Sequence, residues 1–199
     1  VYERADAALG MTPANYARGG EGQIIGYGIA PCALGLVLVA ATDRGICRVE
    51  LGNSEATMIG HLRAEFPAAE IERDERALAK YVAEILRRLE GKAPHQELPL
   101  DIRATAFQRQ VWEELRRIPV GETRSYAEVA AAIGNPGAVR AVGNACANNP
   151  VAIAIPCHRV LRNNGKLGGY AWGMKRKQAL IAAEAAAAGG EPGRARKKA

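Results

Sequence analysis

The chain has 199 residues, 48% of them hydrophobic and 24% charged, which is ordinary globular composition and length enough for one domain or two small ones. No window approaches the roughly 18 unbroken apolar residues a membrane span needs, which argues against a spanning protein, and the apolar content argues against a wholly disordered chain. The net charge of +6 is unevenly placed: residues 157–199 hold ten basic and two acidic residues, a local +8, whereas the preceding 156 residues sum to −2.

Residues 1–18 read as helical, with Leu9 and Met11 apolar, Gly10 a C-cap and Thr12-Pro13 a restart. Gly19-Gly20-Glu21-Gly22 then breaks the chain as a linker. From Gln23 to Leu51 the apolar runs are punctuated by Pro31, Gly35 and Asp43-Arg44-Gly45, which predicts three short antiparallel strands. Ser54 to Phe66 and Asp74 to Leu89 show helical spacing, with a short Glu70 to Arg73 segment between them. A small sheet with helices on one side predicts an α+β domain over residues 21–101.

Beyond Ile102 the pattern becomes helical. Phe107, Val111, Trp112, Leu115 and Ile118 form one face of an amphipathic helix starting at Thr105. Ser125-Tyr126-Ala127-Glu128 is a capping box opening a second helix, and Gly134-Asn135-Pro136-Gly137 turns into a third, Ala138 to Ala147. Two short helices about a Gly-containing turn predict a helix-turn-helix domain over residues 102–188, followed by a basic, disordered tail over 189–199. In the third helix Ala138, Ala141 and Ala145 give a stripe of methyl groups with Gly143 nearby, able either to pack in a core or to approach a flat partner. Arg140 projects from it, suited to a groove, a base stack or a surface salt bridge. The basic end is the candidate surface for a polyanion, with Lys175 and Arg176 inside the fold; Arg194 to Lys198 read more simply as a solvated tail.

Four cysteines, Cys32, Cys47, Cys146 and Cys157, form no CxxC pair and follow no signal peptide, which predicts free thiols in a cytoplasmic compartment. His61, His95 and His158 do not fall at metal-finger spacings from them, so no metal and no cofactor is expected. The start at Val1, without an initiator Met, suits a fragment of a longer protein. Cys157 stands apart: an apolar, extended run, Val151 to Ile155, delivers it to a fixed place, and His158 and Arg159 beside it are expected to lower the thiol pKa. A thiolate is suited to displacement at saturated carbon, and the thioether product has no easy hydrolytic exit, so such a protein acts once.

The stretch Ile155-Pro156-Cys157-His158-Arg159-Val160 stands with Asn149-Pro150, Ser125-Tyr126 and Arg140-Ala141-Val142-Gly143 before it and Gly169-Tyr170 after it. Together they resemble the O6-alkylguanine-DNA alkyltransferase family over roughly residues 21–188. Leu9 to Tyr16 resembles the closing helix of an AraC-type DNA-binding domain. That order is similar to the C-terminal part of the family's bifunctional adaptive-response members, with residues 1–20 as the AraC remnant and linker.

The resemblance implies a ribonuclease H-like N-terminal α/β domain and a winged-helix-like C-terminal one. It implies an enzyme that moves the alkyl group of O6-methylguanine, and of O4-methylthymine, irreversibly to Cys157. His158 would take the thiol proton through a water, Glu184 would orient His158, and Asn149 would support the active-site turn. Tyr126 would crowd the target phosphate and donate a proton toward the departing purine. Arg140 would fill the gap left by the everted nucleotide, with Ala141, Gly143 and Asn135 on the DNA backbone and minor groove, and Val160, Tyr170 and Ala171 around the substrate. Ala171 stands where some relatives have a serine, removing one side-chain donor. The implied partner is double-stranded DNA carrying O6-alkylguanine, bound by a monomeric, nucleoid-associated bacterial protein with no membrane contact, whose full-length form also activates transcription. Two other readings stand beside this one: a DNA-binding regulatory module without transfer, against which the presence of Cys157 argues, and a cysteine hydrolase, for which no oxyanion-hole motif is visible.

Overall fold

The computed structural model describes residues 19–189, so the helix and AraC-like segment expected over residues 1–18, and the tail from residue 190 onward, lie outside the described residues. The chain divides into two compact units: residues up to Leu86 with His95–Arg103, and Arg87–Pro94 with Ala104 onward.

The first unit is built on a four-stranded sheet. Strands β1 (Ile24–Cys32), β2 (Gly35–Ala41) and β3 (Ile46–Gly52) pair antiparallel in sequence, as their apolar runs and turn residues predict. The short segment Glu70–Arg73 is a fourth strand, β4, added parallel to β1 at the far edge, which gives the order β3-β2-β1-β4. Helix α1 (Glu55–Glu65) starts at Ser54, whose side chain accepts the Thr57 N–H at 3.3 Å, and α2 (Glu75–Leu89) starts where Asp74 accepts the Ala77 N–H at 2.9 Å.

The helices cover both faces of the sheet, not one. Ile25 and Tyr27 point into a core shared with Met58, Leu62 and Phe66 of the α1 segment. Their neighbours Gly26 and Gly28 face Leu78 and Val82 of α2, which approach because no side chain stands between. Alternation along β1 thus separates a large-residue face from a bare one, and each takes its own helix.

The second unit is mostly helical. Helix α3 (Ala106–Arg116) opens with a Thr105–Gln108 capping box and buries Val111, Trp112 and Leu115. Helix α4 (Tyr126–Ala132) opens with the Ser125–Glu128 box, both halves formed, and α5 (Val139–Ala147) follows after the Gly134 turn. The Trp112 indole N–H donates to the Ala145 carbonyl at 2.9 Å and ties α3 to α5. Two short strands, β5 (Arg124–Ser125) and β6 (Val160–Leu161), pair in parallel and set the start of α4 beside the Cys157 segment. The final helix, α6 (Met174–Ala187), is alanine-rich and had no counterpart in the sequence reading. It turns Lys177, Leu180 and Glu184, at i, i+3 and i+7, inward together.

Candidate active site

Residues 151–160 are all buried, but the run Val151 to Ile155 is not extended. It closes on itself: the Ile155 N–H donates to the Val151 carbonyl at 3.0 Å, and Ile153 sits in the left-handed region at φ 72°. Asn149 holds both ends of the turn. Its Oδ1 accepts the Val151 N–H at 3.1 Å and its Nδ2 donates to the Ile155 carbonyl at 2.8 Å. The same Nδ2 lies 3.3 Å from Cys157 Sγ, so one side chain shapes the turn and meets the sulfur it presents. A single 3-10 turn, Cys157–Arg159, follows.

Within that turn the three side chains diverge. His158 Nε2 is 2.7 Å from Glu184 Oε1, and Arg159 reaches the same carboxylate through Nε and a terminal nitrogen, each at 2.9 Å, while donating to the Ile118 carbonyl at 2.5 Å. The Gly121 N–H lies 3.4 Å from Glu184 Oε2. Burial would raise the Glu184 pKa, but the bonds from His158 and Arg159 outweigh it and hold the carboxyl down at about 2. An ionised Glu184 fixes the proton of His158 on Nε2. Burial also lowers the His158 pKa, so the imidazole is neutral, with an unprotonated Nδ1 that has no hydrogen-bond partner among the described residues.

The expectation that His158 and Arg159 lower the Cys157 pKa does not hold. Burial raises it, with Asn149 and Lys177 only partly opposing, because His158 is neutral and Arg159 is spent on Glu184. Lys177 was not singled out by the sequence, where it counts only as one of the basic residues of the C-terminal stretch. It is 1% exposed, with Nζ 2.6 Å from the Val160 carbonyl and 5.9 Å from the centre of the Tyr126 ring. Arg159 and Lys177 therefore belong to the interior rather than to the basic surface counted from the sequence.

Tyr126 is half-buried at the start of α4, its phenol pushed up to about 12, chiefly by burial. The ring packs against Gly168, where a Cβ would collide with the hydroxyl. Val160 is buried, Tyr170 stacks edge-on against Trp172 at 5.3 Å, and Ala171 is exposed. On the helix-turn-helix, Asn135, Arg140 and Ala141 are exposed, and a Cβ on half-buried Gly143 would meet open space. Arg140 has no ion-pair or hydrogen-bond partner among the described residues. The alanine stripe splits: Ala145 is 2% exposed and packs with Val142 in the core, so Ala141 faces outward without it. Lys177 and Gly168 are neighbours of the site that sequence reasoning missed, and Arg159 was named for the wrong partner; the shared face of Lys177, Leu180 and Glu184 is the signal that could have found Lys177. Among the described residues no group of three or more His, Cys, Asp or Glu is placed to hold a metal.

Comparison with known proteins places these features in a family. The family model "6-O-methylguanine DNA methyltransferase, ribonuclease-like domain" matches residues 25–102, and "6-O-methylguanine DNA methyltransferase, DNA binding domain" matches residues 106–186. The chain is 50% identical over 184 residues, 92% of its length, to the Escherichia coli "Bifunctional transcriptional activator/DNA repair enzyme Ada", of which that region is 52%. It therefore spans about half the length of the curated relatives it matches first. It is 41% identical over 162 residues to a Methanosarcina barkeri methylated-DNA–protein-cysteine methyltransferase, covering 79% of this chain and 96% of that protein. Among solved structures it resembles the Mycobacterium tuberculosis O6-methylguanine methyltransferase, with 34% identity, a TM-score of 0.66 and coverage of 80% of this chain and 92% of that one. The same M. tuberculosis protein has also been solved in complex with DNA. With both family models matched, and a relative of similar length aligned almost end to end, the chain belongs to the 6-O-methylguanine DNA methyltransferase family.

Proposed function

We propose that this chain repairs DNA by taking the alkyl group of O6-alkylguanine, and of O4-methylthymine, onto Cys157 in a single irreversible turnover. The observation that carries this reading is the sulfur held by Asn149 with a His158–Glu184 pair beside it. The bare Nδ1 of His158 accepts the thiol proton through a water, and Glu184 stabilises the imidazolium that forms. The sulfur electron pair then makes the S–C bond while the C–O6 bond breaks toward the purine, which takes a proton from Tyr126. The raised phenol pKa keeps that proton available at neutral pH.

The target carbon is out of reach inside a stacked duplex, so the nucleotide is everted. Arg140, exposed and without a partner among the described residues, fills the gap, while Ala141, Gly143 and Asn135 lie along the minor groove and backbone. Val160, Tyr170 and Ala171 line the substrate, with backbone N–H groups substituting for the missing serine hydroxyl. In the longer protein this activity accompanies transcriptional activation, as the name of the E. coli relative states of that protein.

The test is incubation with duplex DNA carrying a labelled O6-methyl group, followed by intact-mass and peptide mapping. One methyl per chain, on Cys157, is the expected result, with Cys157→Ala abolishing transfer while retaining DNA binding. Label on another residue, or more than one turnover per protein, overturns the reading. DNA binding by wild-type protein without any transfer supports a regulatory module instead.

A further inference from the structure

The outer face of α5 carries a polar side chain that the mechanism above does not use. Arg140, Ala141, Asn144, Ala147 and the C-cap residue Asn148 are exposed, whereas Val142 and Ala145 are buried. At about 100° per residue, Arg140 and Ala147 fall to one side of Asn144, and Ala141 and Asn148 to the other. Asn144 therefore stands on the centre line of the exposed strip, and any surface that this face meets is met there.

Its neighbour Asn148 is already committed, because its Nδ2 turns back and donates to the Asn144 carbonyl at 2.8 Å. The Asn144 side chain makes no hydrogen bond among the described residues. Asparagine is also a poorer helix former than the alanines around it, since its amide competes with the backbone. Nothing within the described fold repays that choice. Beside it a Cβ on Gly143 would meet open space, and Ala141 and Ala147 offer only methyl groups, so no larger side chain from these positions stands in front of the amide.

Arg140 and Asn144 differ in what they can recognise. A guanidinium only donates hydrogen bonds, whereas an amide both donates and accepts. The floor of the minor groove presents acceptors at every base pair, and a donor, the N2 amino group, at guanine alone. On this strip an uncommitted side-chain acceptor is found at Asn144. Four residues of helix span about 6 Å, or roughly two base steps, so Asn144 stands that far from the gap that Arg140 fills.

We propose that Asn144 is a specificity-determining residue that reads a guanine within about two base pairs of the everted nucleotide. Its Oδ1 accepts from the guanine N2 amino group while its Nδ2 donates to N3 of the same base. Lesions with a guanine at that position are then repaired faster than lesions without one. The proposal rests on the reading of α5 as the DNA-facing helix.

The test measures single-turnover methyl transfer at subsaturating protein from duplexes in which one guanine at a time, on either strand and within two pairs of the O6-methylguanine, is replaced by inosine. Inosine lacks the N2 amino group and keeps N3. It also loosens its pair, an effect common to all proteins compared, so the quantity read is the guanine-to-inosine rate ratio in wild type over that in Asn144→Ala. The expected result is a ratio about threefold to tenfold larger in wild type at one flanking position, the loss of a single base contact, and no difference at the others. The melting temperature of Asn144→Ala should equal or exceed that of wild type, because alanine is the better helix former. Equal ratios in both proteins at every position, or a lowered melting temperature that marks a merely structural amide, overturn the proposal. Duplex transfer untouched by Arg140→Ala would instead overturn the DNA-facing reading of α5, and this inference with it.

Discussion

Asn149 shows how much a single side chain can settle. Its amide closes the Val151–Ile155 turn at both ends and still reaches the Cys157 sulfur. Asn149→Ala leaves a buried N–H and a buried carbonyl unpaired, and should cost roughly 2–4 kcal/mol in urea unfolding while slowing transfer. Glu184 makes a prediction about pH. Its folded-state pKa of about 2 lies below the ordinary carboxylate value, so its contribution, at most about 3 kcal/mol, is present above that ordinary value and is lost as pH falls toward 2. In Glu184→Gln that part of the acid unfolding curve should flatten. The lowered pKa of His158 has the same sign, and it places the acid limb of the transfer rate below pH 6.5 rather than at it. A rate that halves at pH 6.5 would contradict the neutral, Nδ1-bare imidazole.

At the level of elements, α5 divides between a buried face and an exposed one. Val142 and Ala145 anchor the helix, and Arg140 and Ala141 are left outside. Arg140→Ala should therefore leave thermal stability nearly unchanged and slow transfer from duplex DNA on the order of tenfold, since unstacking must proceed without a filler. Transfer from the free O6-alkylated base, which needs no eversion, should be unaffected, and an equal loss on both substrates would sink the assignment. Thr105→Ala, by contrast, should cost about 1 kcal/mol through the lost α3 cap, with transfer by the remaining folded protein intact. The Ser125–Glu128 box was legible because a capping box is a local agreement between two residues three apart. Strand β4 was not, because four residues of Glu-Ile-Glu-Arg carry no signal of which strand they join. Helix α6 escaped notice because alanines give little contrast between faces, and its buried Lys177 and Glu184 lie seven residues apart. The pairing of His158 with Glu184, 26 residues later, came from resemblance alone; no spacing rule joins a 3-10 turn to a distant helix.

For the whole molecule, the fate of its charge matters more than its total. Of the ten basic residues from 157 onward, Arg159 and Lys177 are spent inside, whereas Arg162, Lys166 and Lys175 are exposed. DNA affinity should still fall with salt, by roughly a hundredfold between 50 and 200 mM if about four phosphates are contacted, and filter binding or anisotropy would measure it. A flat response would remove the electrostatic part of the proposed function. The conformation of Ile153 bears on any attempt to make this protein more heat-resistant. An engineer scanning the backbone would choose Ile153→Gly first, to release roughly 1–2 kcal/mol of left-handed strain. Yet the side chain is 3% exposed, and deleting so large a buried group costs roughly 2–5 kcal/mol. The usual remedy therefore backfires at this position: the apolar anchor outweighs the twist it imposes, and the hardening of the protein has to be sought away from the loop that carries the sulfur.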